Sequence, residues 1–339
     1  MSKIVEIKNL RKNYGKIEAI KDISFSINKG EIFGLLGPNG AGKTTTIRCL
    51  TTLAQPDGGE IIVDGVSAIS QPKKVRQKLG YVAQEVAIDK MLTGRELLQL
   101  QGALYHLPKK LINARIDQLV DLLTLSEYID RATGTYSGGI RKRLDLASGL
   151  LHQPQLLILD EPSVGLDIES RVIVWEFLQQ LKLAGTTVLI TSHYLEEIDA
   201  LADSLAIIDQ GKVIAEGSPN SLKARIGGDR VTVKVREFSP LAEAQMLQEK
   251  LASLPFVKDI IINKAQGNSL NLIVSGEGRG ALEKEINLLG LPLFSISQSR
   301  PSLDDVYLAA TGRTLLDAEM EAFTKRDLKA EKKQAMSGK

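Results

Sequence analysis

The chain has 339 residues, too many for one average domain and enough for one large and one small domain. Its 43% hydrophobic and 25% charged residues suit a globular protein, and a formal net charge of +2 gives no bulk electrostatic reason to expect nucleic acid as a partner. A single cysteine, Cys49, excludes an intrachain disulfide and a cysteine metal cluster, while His106, His152 and His193 are too scattered to suggest a metal site.

The chain starts by alternating apolar and charged residues over 1–10, which predicts a strand and not a secretion signal. The longest apolar runs, such as 156–159 and 187–190, fall far below the ~18 residues that span a bilayer. The chain is therefore expected to be soluble, with any membrane role supplied by a partner.

In chain order, residues 4–7, 19–27 and 31–36 are expected as strands, with a helix at 43–53 and strands at 60–63 and 79–82. From 91 to 151 the apolar spacing becomes helical, with Ile112, Ile116, Leu119 and Val120 on one face. Strands return at 156–159 and 187–191 as continuous apolar runs, the pattern of a parallel sheet covered on both faces. Helices at 168–183 and 194–202 alternate with them, and strands follow at 204–209 and 212–216. Residues 1–225 are thus expected as an α/β domain with a helical subdomain inserted over about 90–151. After a linker at 226–230, an order of strand (231–235), helix (241–254), strands (257–263, 269–274), helix (280–289) and strand (293–297) predicts a small α+β, ferredoxin-like domain over 230–300. Residues 301–339 are expected to form a C-terminal helix and a solvated tail from Lys325.

Gly37, Pro38, Asn39, Gly40, Ala41, Gly42, Lys43 and Thr44 match G-x-x-x-x-G-K-[ST] between an apolar strand and a helix, with Thr45 following. The glycines let backbone N–H groups curl towards phosphate oxygens, and the helix N-terminus adds its positive end. Lys43 is placed to reach the β- and γ-phosphates of ATP, and the Thr44 hydroxyl to coordinate Mg²⁺. Four apolar residues then lead to Asp160, Glu161 and Pro162. Such a strand delivers Asp160 to hold Mg²⁺ through water, and Glu161 to polarise the attacking water as general base.

Those two motifs describe many nucleotidases. Ser137, Gly138 and Gly139 are more discriminating, because they open a helix placed shortly before the strand that ends in Asp160, Glu161 and Pro162; taken with Tyr136 and the run to Leu144, they resemble the signature of the ABC ATPase family. The resemblance implies a P-loop NTPase fold in which Ser-Gly-Gly caps the γ-phosphate bound by the opposite subunit. Two positions depart from the commonest signature, Tyr136 for Leu and Ile140 for Gln, and neither replaces the anion-facing tripeptide. The resemblance also implies that Tyr14 stacks on adenine, that Gln84 contacts Mg²⁺ and water and senses the membrane partner, that Asp167 communicates across the dimer, and that His193 hydrogen-bonds the γ-phosphate.

Residues 300–313, with Tyr136-Ser-Gly-Gly and Arg143-Leu-Asp-Leu-Ala147, resemble the daunorubicin/doxorubicin-resistance subfamily. This implies a homodimer sandwiching two ATP molecules, held at the cytoplasmic face of the plasma membrane by a separately encoded ABC-2-type permease, and exporting a drug, lipid or polysaccharide. An importer ATPase with a regulatory C-terminal domain is one alternative. A non-transport ABC ATPase acting on ribosomes or DNA is another, disfavoured by a single ATPase half, no heptad run and one cysteine.

Overall fold

The computed structural model describes residues 2–85, 88–263, 266–275, 278–290 and 292–324, so the tail expected from Lys325 lies outside the described residues. The chain divides into two compact units, 1–216 and 217–339.

The first unit runs β1 (Lys3–Tyr14), β2 (Ile17–Asn28), β3 (Ile32–Leu36), α1 (Lys43–Leu50), β4 (Gly58–Val63), β5 (Val66–Ser67), α2 (Pro72–Lys78) and β6 (Leu79–Val82). The helical subdomain follows as α3 (Gly94–Leu104), α4 (Lys109–Leu122) and α5 (Gly138–Leu150). Then come β7 (Leu156–Asp160), α6 (Ile168–Leu183), β8 (Thr187–Ser192), α7 (Leu195–Leu201), β9 (Ser204–Asp209) and β10 (Lys212–Gly217). The strands form one sheet ordered β5-β4-β1-β2-β10-β9-β3-β8-β7-β6. Every residue of β3, β7 and β8 is buried, as expected of parallel strands covered on both faces. Their parallel register sets Leu36 beside Ser192 and Asp160 beside Thr191, so the loops that follow these strands leave the sheet together.

The second unit contains α8 (Pro219–Ile226), β11 (Asp229–Lys234), α9 (Leu241–Ala252), β12 (Val257–Asn263), β13 (Ser269–Val274), α10 (Gly278–Leu288), β14 (Ser295–Ser299) and α11 (Leu303–Thr311). The four strands pair antiparallel in the order β12-β13-β11-β14, the split arrangement of a ferredoxin-like sandwich. Val231, Val233, Leu270, Leu272 and Val274 pack with Leu247 and Leu251 of α9 and Leu282 and Ile286 of α10.

Three details of the second unit differ from the sequence expectation. Helix α8 was not anticipated; it begins at a Ser218 cap with Pro219 in its first turn, and it packs on α11, which draws it into the second unit. Asp229 and Arg230, expected in a linker, are already paired in β11. The last strand lies two residues later than expected, because its polar sequence Ser-Ile-Ser-Gln-Ser carries almost no apolar signal and its register is set by pairing with β11.

Candidate nucleotide site

The loop 37–42 connects β3 to α1 and closes over backbone. Gly42, at φ 114°, caps α1, and a Cβ there would approach the Ala19 carbonyl oxygen to 2.9 Å. Only glycine meets both demands. Lys43 is buried, and its ammonium donates to the carbonyl oxygens of Gly37 at 2.6 Å and Pro38 at 3.3 Å. Asn39 and Gly40 are exposed, Ala41 is buried, Thr44 is exposed and Thr45 is half-buried at the start of α1.

The ends of β7 and β8 complete the centre. The Thr191 hydroxyl donates to Asp160 Oδ1 at 2.6 Å and accepts from the Glu161 N–H at 2.9 Å. Thr44 Oγ1 lies 3.5 Å from the same Asp160 oxygen. Glu161 adopts φ 51°, a left-handed conformation that a residue with a Cβ holds only where its surroundings impose it. Its carboxylate gathers three side chains: Lys43 Nζ at 3.5 Å, His193 Nδ1 at 3.3 Å, and Gln84 Nε2, which donates at 3.0 Å. Gln84 comes from the loop after β6, which lies beside β7 in parallel register.

The two acids differ in electrostatics. Burial pushes the Asp160 carboxyl above its ordinary range, and the Thr191 and Thr44 hydrogen bonds offset this only in part. Burial also acts upward on Glu161, but the His193 hydrogen bond and the Lys43 charge outweigh it, and its carboxyl lies below the ordinary range. Glu161 is thus held ionised, as a group that must accept a proton from water requires. Thr44, Asp160 and the Gln84 amide offer hard oxygens from three elements, a donor set suited to Mg²⁺.

Ser137, Gly138 and Gly139 lie at the N-terminus of α5. Ser137 Oγ accepts from the Ile140 N–H at 3.4 Å. Gly138 is exposed, and a Cβ there would meet nothing within 4 Å; a Cβ on Gly139 would stand 2.2 Å from Ser170 Oγ. Ser170 belongs to α6, whose cap is Asp167; its Oδ1 accepts from the Ser170 N–H at 2.7 Å. The tripeptide and Asp167 are therefore one packed corner. A groove of about 280 Å³ runs beside it, lined by Gln84, Gly138, Lys142 and Gly165 among others. The structure does not draw Ser137 into the cluster around Glu161. Tyr14, at the end of β1, is 44% exposed with the Lys12 ammonium 5.4 Å from its ring centre. It too stands outside that cluster.

Two residues escaped the sequence analysis. Thr191 ties the two acids together, and its signal was a polar residue inside an apolar strand. Lys142, 3% exposed, donates from α5 to the Ala83 carbonyl oxygen at 2.8 Å, one residue before Gln84. Its signal was a lysine on the buried face of the signature helix. Tyr136, at the position where leucine is commonest, is buried and donates its hydroxyl to the Tyr128 carbonyl.

Parallel strands whose ends bring a phosphate loop, an acid pair and a histidine together, with a glycine-rich helix cap on an inserted subdomain, define an ATP-binding cassette. Residues 20–164 match the family model described as ABC transporter. The chain is 39% identical over 316 residues to the daunorubicin resistance ATP-binding protein DrrA2 of Streptomyces coeruleorubidus, covering 93% of this chain and 97% of that one. It is 38% identical over 318 residues to the linearmycin resistance ATP-binding protein LnrL of Bacillus subtilis (strain 168), covering 93% and 100%. With the Nod factor export ATP-binding protein I of Sinorhizobium fredii (strain NBRC 101917 / NGR234) it shares 35% over 317 residues, covering 92% and 87%. Among solved structures, an ATP-binding subunit of an ABC transporter aligns with a TM-score of 0.62 at 28% identity, covering 66% of this chain and 93% of that one. The chain belongs to the ABC transporter family, as an ATP-binding subunit of the daunorubicin/doxorubicin-resistance type. Its activity is that of an ATPase coupled to transport. Among the described residues no helix is long and apolar enough to cross a membrane.

Proposed function

We propose that this subunit energises export of a hydrophobic drug, lipid or polysaccharide through a separately encoded ABC-2-type permease at the cytoplasmic face of the plasma membrane. The observation that carries the proposal is the extent of the similarity. Proteins named for drug resistance and for Nod factor export match over 92–93% of this chain, which takes the likeness into the second unit.

In this function ATP lies on the 37–45 loop, with its adenine against Tyr14 and its β- and γ-phosphates at Lys43. Thr44, Asp160 and Gln84 would hold Mg²⁺, which when bound would neutralise charge at the phosphate oxygens. Glu161 accepts the proton of the attacking water, and His193 holds the γ-phosphate and orients Glu161. Two chains associate head to tail, so that Ser137, Gly138 and Gly139 of each complete the site of the other, with Asp167 at the seam. The open space above Gly138 supports this, because an anion can reach the N–H groups of that helix cap only where no side chain covers them. ATP binding then closes the dimer, hydrolysis opens it, and the permease follows those two states.

Affinity purification from native membranes, with mass identification of the bound membrane protein, tests the assignment. Recovery of an ABC-2-type permease supports export. Recovery of an importer's membrane subunit with a solute receptor overturns it.

A further inference from the structure

The second unit carries a groove of about 310 Å³ on the face of its sheet turned away from α9 and α10. That volume is at the lower end of the ~300–1,000 Å³ typical of small-molecule sites. Its position follows from strand alternation. Leu270, Leu272 and Val274 of β13 enter the core with α9 and α10, so Asn271 and Ile273 point to the opposite side, where α8 and α11 supply the other walls.

Asn271 is only 4% exposed. Its Oδ1 accepts from the Thr232 hydroxyl at 3.0 Å, while its Nδ2 has no hydrogen-bond partner among the described residues. Asp305 of α11, 3% exposed, lines the same groove. Its Oδ2 caps the helix, accepting from Ser302 N and Oγ at 2.8 Å each. Its Oδ1 lies 3.3 Å from Arg230 Nη1 as an ion pair but accepts no hydrogen bond among the described residues. Two residues that line the same groove therefore each carry a buried polar atom, one a donor and one an acceptor, without a hydrogen bond among the described residues. Such groups are rare in folded proteins because burial strips their water and returns nothing.

The rest of the lining narrows what could satisfy both. Arg225 and Lys258 bring positive charge and Asp259 and Asp305 negative charge, Asp305 being paired with Arg230 as well, so charges of both signs stand in one groove and each end of a zwitterion meets its opposite. Ile261, Ile273 and Leu308 give it an apolar wall. A bare carboxylic acid would leave the Asp305 oxygen facing an anion, and a hydrocarbon would leave both polar atoms unmet. We propose that the groove is a binding site for a small zwitterion with an apolar body, the class to which hydrophobic α-amino acids belong. Its carboxylate accepts from Asn271 Nδ2 beside Lys258, its ammonium donates to Asp305 Oδ1, and its side chain lies on Ile261, Ile273 and Leu308.

Calorimetric titration of the full chain with L-leucine and with L-phenylalanine tests this. At least one should bind saturably, while 4-methylpentanoate, which lacks the ammonium, and isopentylamine, which lacks the carboxylate, should each bind at least ~10-fold more weakly than L-leucine or not at all. Asn271→Leu should abolish amino-acid binding and leave basal ATP hydrolysis unchanged. Lys258→Ala, an exposed change that does not threaten folding, should weaken binding by roughly 2- to 5-fold. Absence of binding by both amino acids at millimolar concentration overturns the proposal, as does unchanged affinity in a folded Asn271→Leu variant. Equal binding of L-leucine and 4-methylpentanoate overturns the zwitterion assignment, whatever the behaviour of the variants.

Discussion

Lys43 Nζ lies 3.5 Å from Glu161 Oε1, and both side chains are almost fully buried. The cation proposed to hold ATP phosphates and the acid proposed to activate water are thus partners, and phosphate oxygens must share Lys43 with the Glu161 carboxylate. Glu161→Gln should therefore do two things. Turnover should fall at least ~100-fold, through loss of the general base. ATP affinity should rise, because a neutral amide repels phosphate less and releases Lys43. Steady-state phosphate release and equilibrium ATP binding check the two outcomes separately; near-normal turnover would remove Glu161 from the base role.

The two signature glycines should respond differently to alanine. Gly138→Ala places its methyl in open space, so thermal stability should stay close to that of the parent while hydrolysis drops through obstruction of the partner's nucleotide. Gly139→Ala drives a methyl into Ser170 Oγ at 2.2 Å, so the α5–α6 corner must shift and the protein should lose about 1–3 kcal/mol. Denaturation curves and hydrolysis rates of the pair distinguish a contact surface from a packing constraint.

Lys142 is a positioning residue in this structure, since it acts on Gln84 only through the Ala83 carbonyl. Lys142→Met removes the donor and leaves a half-buried carbonyl oxygen without it, which should loosen the Gln84 loop. The expected result is a fall of about 10-fold in kcat with little change in the KM for ATP. Lys142→Gln, which retains a donor, should recover part of the rate. A proportional rise in KM would point to nucleotide binding instead.

Asp145, one turn after Lys142 on α5, gives a pH prediction. Burial raises its carboxyl to about 6, and the nearby Lys142 charge offsets this only in part. Because the folded value lies above the ordinary one of 3.8, this group favours the folded state below about pH 4, and that contribution is lost as pH rises through about 6. Asp145→Asn should therefore stabilise the protein by roughly 1–3 kcal/mol at pH 7 and by little at pH 4. Urea denaturation at the two pH values measures the difference, and equal effects at both would contradict it.

Much of the nucleotide site was legible because its parts are local. A glycine-rich loop between an apolar strand and a helix, two acids ending a four-residue apolar run, and a histidine after another such strand each have a short-range chemical reason for their residue types. Parallel strands buried on both faces write themselves as unbroken apolar runs, so β3, β7 and β8 could be read along with the residues that follow them. Helix α8 and the polar strand β14 could not, because one is explained by packing on α11 and the other by its register against β11.

By itself, the sequence determined the phosphate loop and the acid pair, each of which depends on residues within a dozen positions of one another, and the order of the family's motifs, through whose resemblance the cassette fold was implied. Only the tertiary structure decided that Thr191 would join Asp160 to Glu161, that Lys142 would hold the strand end before Gln84, that Gly139 would be closed by Ser170, and that Asn271 and Asp305 would face one groove. Those relationships join residues 30 to 59 positions apart, and no local preference encodes them. They arise where strand register and helix packing bring side chains within hydrogen-bonding distance, and burial then makes each such meeting count.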